Sequence, residues 1–93
     1  MKTLSIYGQV ESIHTEQYQT AKGHRYDVVK IRINCEGDPF EVTAREKVIK
    51  LTKGVIVGDY INVTANVVCR YTAKYTFISL DIVNLVNTTQ YAM

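Results

Sequence analysis

A period-two alternation of apolar and polar residues recurs along this chain, and it limits the folds open to it. In residues 4–14 one side of an extended segment carries Leu4, Ile6, Gly8 and Val10. In residues 25–34 one side carries Val29, Ile31 and Ile33, and the other carries Tyr26, Val28, Lys30 and Arg32. Successive side chains of a strand point to opposite faces, so this pattern predicts half-buried β-strands and not helices.

Three further strands follow from the same pattern. The third is predicted over residues 40–44, after a compact turn at residues 36–39. The fourth follows Asp59, with one side formed by Ile61, Val63, Ala65, Val67 and Cys69. The fifth covers residues 75–85, where Ile78, Leu80 and Ile82 share a side.

Between the third and fourth strands the alternation stops. Lysines surround Val48, Ile49 and Leu51 in residues 45–52, which predicts a short helix that ends near Gly54. Three strands, a helix and two strands is the element order of the oligonucleotide/oligosaccharide-binding (OB) fold, a five-stranded barrel. The sequence therefore predicts an all-β OB barrel with one short helix that plugs one end.

The connections are predicted from their polar residues. Residues 15–24 carry a Lys22-Gly23 turn signal and are predicted to form a hairpin loop, and residues 71–74 a short connection. Gly8 stands inside a strand, where glycine marks a bend or a close backbone approach.

Length and composition bound the function. With 93 residues the chain has room for one domain, assigned to residues 1–86, with a short tail at 87–93. No segment resembles a signal peptide or a membrane span, so a cytoplasmic location is expected. Cys35 and Cys69 are isolated and are expected to be free thiols, with Cys69 in the core. No catalytic motif, metal site or cofactor site is found, so the chain is predicted not to be an enzyme.

Several short motifs resemble the bacterial single-stranded DNA-binding protein family. They are the opening strand at residues 6–10, Glu46-Lys47, Lys53-Gly54, the strand at 61–70 with its terminal Arg70, and Tyr75-Thr76. The resemblance covers nearly the whole chain. It implies an OB fold, single-stranded DNA as the partner, a role in coating DNA during replication or recombination, and a bacterial or phage origin.

The chain also departs from the family pattern. The family places aromatic residues on its second and third strands, whereas here the third strand carries Glu41, Thr43 and Arg45. The hairpin between strands four and five, which is long in the family, has only a few residues here, and the family's acidic C-terminal tail is missing. The resemblance thus implies a divergent, tail-less member, or a longer protein whose tail was removed.

Single strands are bound by basic grooves that follow the phosphates and by aromatic rings that stack on bases. The OB fold binds ligands with one strand face and two hairpin loops, and this chain concentrates cations and tyrosines on the second strand and in those two loops. The predicted site therefore comprises Tyr18, Lys22, Arg25, Tyr26, Lys30, Arg32, Arg70, Tyr71, Lys74 and Tyr75, with His24 beside them.

Two alternatives to nucleic-acid binding also fit the sequence. Alternating lysines and arginines also suit an ordinary solvated strand face, and an OB barrel that docks on a replication or conjugation protein is the competing interpretation. Salt dependence separates nucleic-acid binding from protein docking, because phosphate contacts release counterions and an apolar protein interface does not. A homo-oligomer, a dimer or tetramer, is predicted from outward apolar positions on a small domain: Tyr7, Val28, Tyr60, Val68 and Phe77.

Overall fold

The computed structural model describes residues 2–89. Its elements in chain order are β1 (Thr3–Gln19), β2 (Arg25–Cys35), β3 (Asp38–Arg45), a 3-10 helix (Glu46–Thr52), β4 (Tyr60–Tyr71) and β5 (Thr76–Asn87). The predicted short helix is confirmed, as a 3-10 helix. Among the described residues, no helix is long and apolar enough to cross a membrane.

The five strands close into a barrel in the order β1-β2-β3-β5-β4. Every pair is antiparallel except β3–β5, which is parallel and joined at Thr43 and Asp81. The long β1 makes closure possible, because its first half pairs with β4 and its second half with β2. The predicted five-stranded OB barrel is confirmed.

The core lies inside the barrel and consists mostly of side chains that the alternation predicted to point inward, whereas Leu4 and Ile78, placed on the same sides, are exposed. Ile31, Ile33, Ile61 and Val63 are fully buried there. Three apolar residues of the 3-10 helix pack against this core: Val48, Ile49 and Leu51. Apolar burial of this kind is the main stabilising contribution in a small domain.

Gly8 provides the close approach that β1 needs to curve around the barrel. A Cβ built on Gly8 would lie 2.2 Å from the carbonyl oxygen of Asn34 on β2, well inside contact distance. Three residues later the register of β1 shifts between Val10 and Ser12. This bulge moves Ile13 to the inner side, and it moves Ser12 and His14 to the outer side.

Two predicted connections are longer than the observed ones. Residues 15–19 are the end of β1 and pair with β2, so the β1–β2 loop contains only residues 20–24. The turn before β3 is also shorter, because Glu36 and Gly37 form it with positive φ values of 52° and 93° and Asp38 pairs with Cys35. A two-residue turn with both φ angles positive matches the strand twist, which explains the tight hairpin.

Candidate functional site

The outer faces of β1, β2 and β3 form one continuous surface. Strand register places Tyr18 opposite Tyr26, Glu16 opposite Val28, and His14 opposite Lys30. On the other side of β2, Lys30 faces Thr43 and Arg32 faces Glu41. Because residues two apart point the same way, Tyr26, Lys30 and Arg32 share this outer surface, as the sequence predicted.

Two tyrosines stack near the β1–β2 loop. The ring centroids of Tyr18 and Tyr26 lie 5.6 Å apart and the ring planes are 24° from parallel. Both side chains are exposed. Tyr18 reaches this position because β1 continues to Gln19, whereas the sequence had placed Tyr18 in a loop. A rigid, exposed aromatic pair of this kind offers a flat surface on which a base can stack.

Lys30 is held beside the tyrosine pair by Glu16. Its Nζ lies 3.2 Å from Glu16 Oε2 and 5.9 Å from the centroid of the Tyr18 ring. The Tyr18 hydroxyl donates a hydrogen bond to the same carboxylate. The pKa of Glu16 is lowered by the Tyr18 hydroxyl first and by Lys30 second. The pKa of Lys30 is raised by Tyr18 and then by Glu16, so both groups are charged at neutral pH.

A groove runs between the outer face of β2–β3 and the β4–β5 hairpin. Its volume is about 440 Å³, and it is lined by Lys30, Glu41, Thr43, Arg45, Arg70, Phe77, Ile78, Ser79 and Leu80. Of the predicted site residues, Lys30 and Arg70 thus lie in one groove. Arg70 pairs with Phe77 across the hairpin, which puts a cation and an aromatic ring on the same wall.

The floor of the groove is polar and is connected by an ion pair and a hydrogen bond. Arg45 Nε lies 3.5 Å from Asp81 Oδ1, and the Ser79 hydroxyl donates to the same oxygen over 2.8 Å. Thr43 is buried, and it pairs with Lys30 on β2 and with Asp81 on β5. Sequence reasoning missed Arg45 and Phe77 as groove residues. The signal for Arg45 was its outward position two residues after Thr43, and for Phe77 its alternation with Ser79.

The remaining predicted residues lie around this centre. Arg25 pairs with Gln19 and borders a second, smaller groove beside Tyr18. Arg32 lines a separate depression with Phe40 and Glu41. Lys22 is exposed in the β1–β2 loop.

His24 and Tyr26 open onto a further cavity, which is completed by Thr20, Arg45 and Glu46. Arg45 also lines the main groove. The cavity therefore continues the groove past Arg45, toward the β1–β2 loop.

The tip of the β4–β5 hairpin carries the other predicted tyrosines. Thr72 organises its turn, since the backbone N–H of Tyr75 donates to Thr72 Oγ1 over 2.9 Å. Tyr71, Lys74 and Tyr75 are exposed there, and the Tyr75 ring lies 6.0 Å from that of Phe77. Cys69 is exposed in this hairpin, so its predicted core position is wrong: β4 leaves the barrel before it reaches Cys69. Both Cys69 and Cys35 are free thiols.

A second aromatic pair lies outside the groove, on β1 and β4. Tyr7 and Tyr60 stack with centroids 6.2 Å apart, and both are exposed, as is Val86 on β5. Val28 was predicted to be an outward apolar residue of the oligomer face, and its exposed fraction is 0%. It sits on the outer side of β2 between Glu16 and Arg45 in the sheet register, so the predicted exposure is wrong.

No group of three or more metal-binding side chains occurs among residues 2–89. The tail predicted at 87–93 lies partly outside the described residues. Within them, Thr88 and Thr89 hydrogen bond to the backbone of Tyr60, with distances of 2.8 Å from Thr88 Oγ1 to the carbonyl oxygen and 2.7 Å from the Tyr60 amide to Thr89 Oγ1.

No protein-family model matches the sequence, and a search of curated proteins finds no match. Solved structures do match. Rim1, a mitochondrial single-stranded DNA-binding protein from S. cerevisiae, superposes with a TM-score of 0.68 at 21% identity, covering 95% of this chain and 96% of its own. The second single-stranded DNA-binding protein of Mycobacterium smegmatis, SSBb, gives a TM-score of 0.71 at 7% identity over 100% of this chain and 92% of its own.

A small single-stranded DNA-binding protein from Streptomyces coelicolor gives a TM-score of 0.60 at 14% identity, covering 99% of this chain and 96% of its own. All three alignments run over nearly the full length of both partners. The chain therefore has the OB fold of these single-stranded DNA-binding proteins.

Proposed function

We propose that this protein binds single-stranded DNA in the groove between β2–β3 and the β4–β5 hairpin, and that it coats or protects exposed strands during replication or recombination. The observation that carries the proposal is the groove itself. It joins Lys30, Arg45 and Arg70 to the Phe77 ring, and it opens toward the stacked Tyr18 and Tyr26.

The position of the groove supports the proposal. OB folds bind oligonucleotides on the face of their second and third strands, between the first and last hairpin loops. Cations that follow phosphates and rings that stack on bases are the two elements of sequence-independent single-strand binding. The names of the structural neighbours make DNA the preferred strand. Binding without catalysis, in the cytoplasm of a bacterium or a phage-infected cell, is part of the same proposal.

The proposed oligomer rests on one exposed apolar face. Tyr7, Tyr60 and Val86 form an exposed apolar face on the side of β1, β4 and β5, away from the groove residues. We propose that a second copy covers this face in a dimer or a tetramer. Light scattering at tens of micromolar protein (about the range that populates weak dimers) tests it, and the mass of a monomer contradicts it.

Titration of a fluorescently labelled oligo(dT) by polarisation, at two salt concentrations, tests DNA binding. We expect saturable binding that weakens as salt rises, because phosphate contacts release counterions. Absence of binding at low salt contradicts the proposal and favours the protein-docking alternative.

A further inference from the structure

Most of the positive charge in the groove is already engaged within the protein. Three cations line the groove, and two of them form ion pairs: Lys30 with Glu16 at 3.2 Å and Arg45 with Asp81 at 3.5 Å. Arg70 forms no ion pair within the described part of the chain. The groove therefore carries much less available charge than its sequence implies.

Both carboxylates are held in place by a hydroxyl group in addition to their cation. The Tyr18 hydroxyl donates to Glu16, and the Ser79 hydroxyl donates to Asp81 over 2.8 Å. A carboxylate fixed on a cation presents charged oxygens to it, as a phosphate does. Glu16 and Asp81 thus lie beside Lys30 Nζ and Arg45 Nε, where a DNA phosphate would have to bind.

The pairs are also accessible to a ligand. The side chains of Lys30 and Glu16 are 27% and 44% exposed, and those of Arg45 and Asp81 are 37% and 23% exposed. Ion pairs at such wet positions contribute little to stability, with a typical value of about 0–1 kcal/mol. A phosphate can therefore displace either carboxylate without first opening the fold.

We propose that Glu16 and Asp81 compete with phosphate for Lys30 and Arg45, and that they thereby make the groove selective for strands with unpaired bases. The inference rests on the proposed function. Each phosphate that reaches Lys30 or Arg45 exchanges one ion pair for another, so the electrostatic gain is small. Base stacking must then supply most of the free energy, and a duplex, whose bases are already stacked, cannot supply it.

The exchange also predicts a low salt dependence. A phosphate that binds a free cation releases its counterion, with a slope of about 0.7 per contact for single strands. A carboxylate displaced in the same step takes up a counterion, and this cancels most of the release. Arg70 is then the groove cation that contributes its full share, about 0.7, to the slope.

Two neutral isosteres test the proposal. Glu16→Gln and Asp81→Asn remove the charge but keep an oxygen that accepts the hydroxyl hydrogen bond. Glu11→Gln is the matched control, because Glu11 lies on the same strand as Glu16, is exposed outside the groove, and is in no ion pair among residues 2–89. Each variant is titrated with labelled oligo(dT) and with a duplex of equal length at several salt concentrations, after its melting temperature has shown that it is folded.

We expect Glu16→Gln and Asp81→Asn to bind oligo(dT) several-fold more tightly and with a salt slope steeper by about 0.7 each. Both variants should gain still more affinity for the duplex, so that their selectivity falls. Glu11→Gln should leave the slope unchanged. If both variants match Glu11→Gln in affinity, slope and selectivity, the competition does not exist.

A double-mutant cycle supplies an independent check. In a Lys30→Ala background, Glu16→Gln should no longer steepen the slope, because there is no cation left to release. An undiminished steepening there overturns the proposed exchange. Failure of the proposed function looks different: the wild-type protein then binds no oligo(dT) at low salt, whatever the variants do.

Discussion

The ring of Tyr18 stacks on the ring of Tyr26 directly across the β1–β2 strand pair, with a centroid distance of 5.6 Å. Each ring therefore supports the orientation of the other at the entrance to the groove. Exposed aromatic pairs on a strand surface contribute only modestly to stability.

Tyr26→Ala should weaken oligo(dT) binding by about 1–3 kcal/mol, because it removes one stacking ring and leaves Tyr18 unsupported. The salt slope should hardly change, since stacking releases few ions. Polarisation titrations at two salt concentrations measure both quantities. Tyr26→Phe is the matched control and should bind like the wild-type protein. Equal losses in both variants would mean that the hydroxyl, and not the ring, contacts the DNA.

Arg70→Ala should weaken binding and flatten the salt slope by about 0.7, the value for one lost phosphate contact. Lys50→Ala provides the comparison, because Lys50 is exposed on the 3-10 helix and does not line the groove. Both variants lose one positive charge, so a difference between them reports position and not net charge. If Lys50→Ala costs as much as Arg70→Ala, the DNA runs over the helix and the site is misplaced.

The Glu16–Lys30 pair should be visible in the pH dependence of stability. The pKa of Glu16 is lowered in the folded protein by Tyr18 and Lys30, so its stabilising effect is present above the ordinary value of 4.5 and is lost as pH falls through the lowered pKa. Wild-type protein should therefore melt at a higher temperature than Glu16→Gln at pH 7, and this gap should close in acid. A gap that persists at pH 2 would contradict the assignment. Taken with the binding prediction, Glu16→Gln should lose stability and gain affinity.

Gly8→Ala should destabilise the barrel by about 1–3 kcal/mol, the range for an overpacked site. The added Cβ would lie 2.2 Å from the Asn34 carbonyl oxygen, so β1 and β2 must move apart. Urea denaturation measures the effect. Ser5→Ala on the exposed part of the same strand serves as the control and should stay within about 0.5 kcal/mol of wild type. Equal stabilities of the two variants would show that the barrel does not need the close approach.

Alternation was enough to predict the barrel, because inward side chains such as Ile31 and Val63 follow a strict period of two. The sequence did not reveal the bulge after Val10, which shifts the alternation of β1 and places Tyr18, as part of a strand, on the outer face beside Tyr26. A polar segment such as residues 15–19 looks like a loop, since neither of its faces is apolar. Pairing with β2 decides its structure, and that pairing is not local.

The candidate site was partly predictable for a similar reason. Tyr26 and Lys30 share a face by strand parity, so their proximity follows from the sequence alone. The ion pairs of Lys30 and Arg45 depend on which strands become neighbours. The pairing of β3 with β5, for example, joins Thr43 to Asp81, which lie 38 positions apart in the sequence. Strand parity predicts which side chains point outward but not which of them are exposed to solvent. Val28 points outward and is nevertheless buried.

Mapping of bound oligo(dT) by NMR amide shifts tests the central claim most directly. A titration of isotope-labelled protein reports every described strand at once. We predict that the largest shifts fall on Lys30, Thr43, Arg70 and Phe77, which line the groove, and on Tyr26, which lines the cavity that continues it. The Tyr7–Tyr60 face and the 3-10 helix should change little. Shifts concentrated on Tyr7 and Tyr60, with the groove unperturbed, would contradict the account.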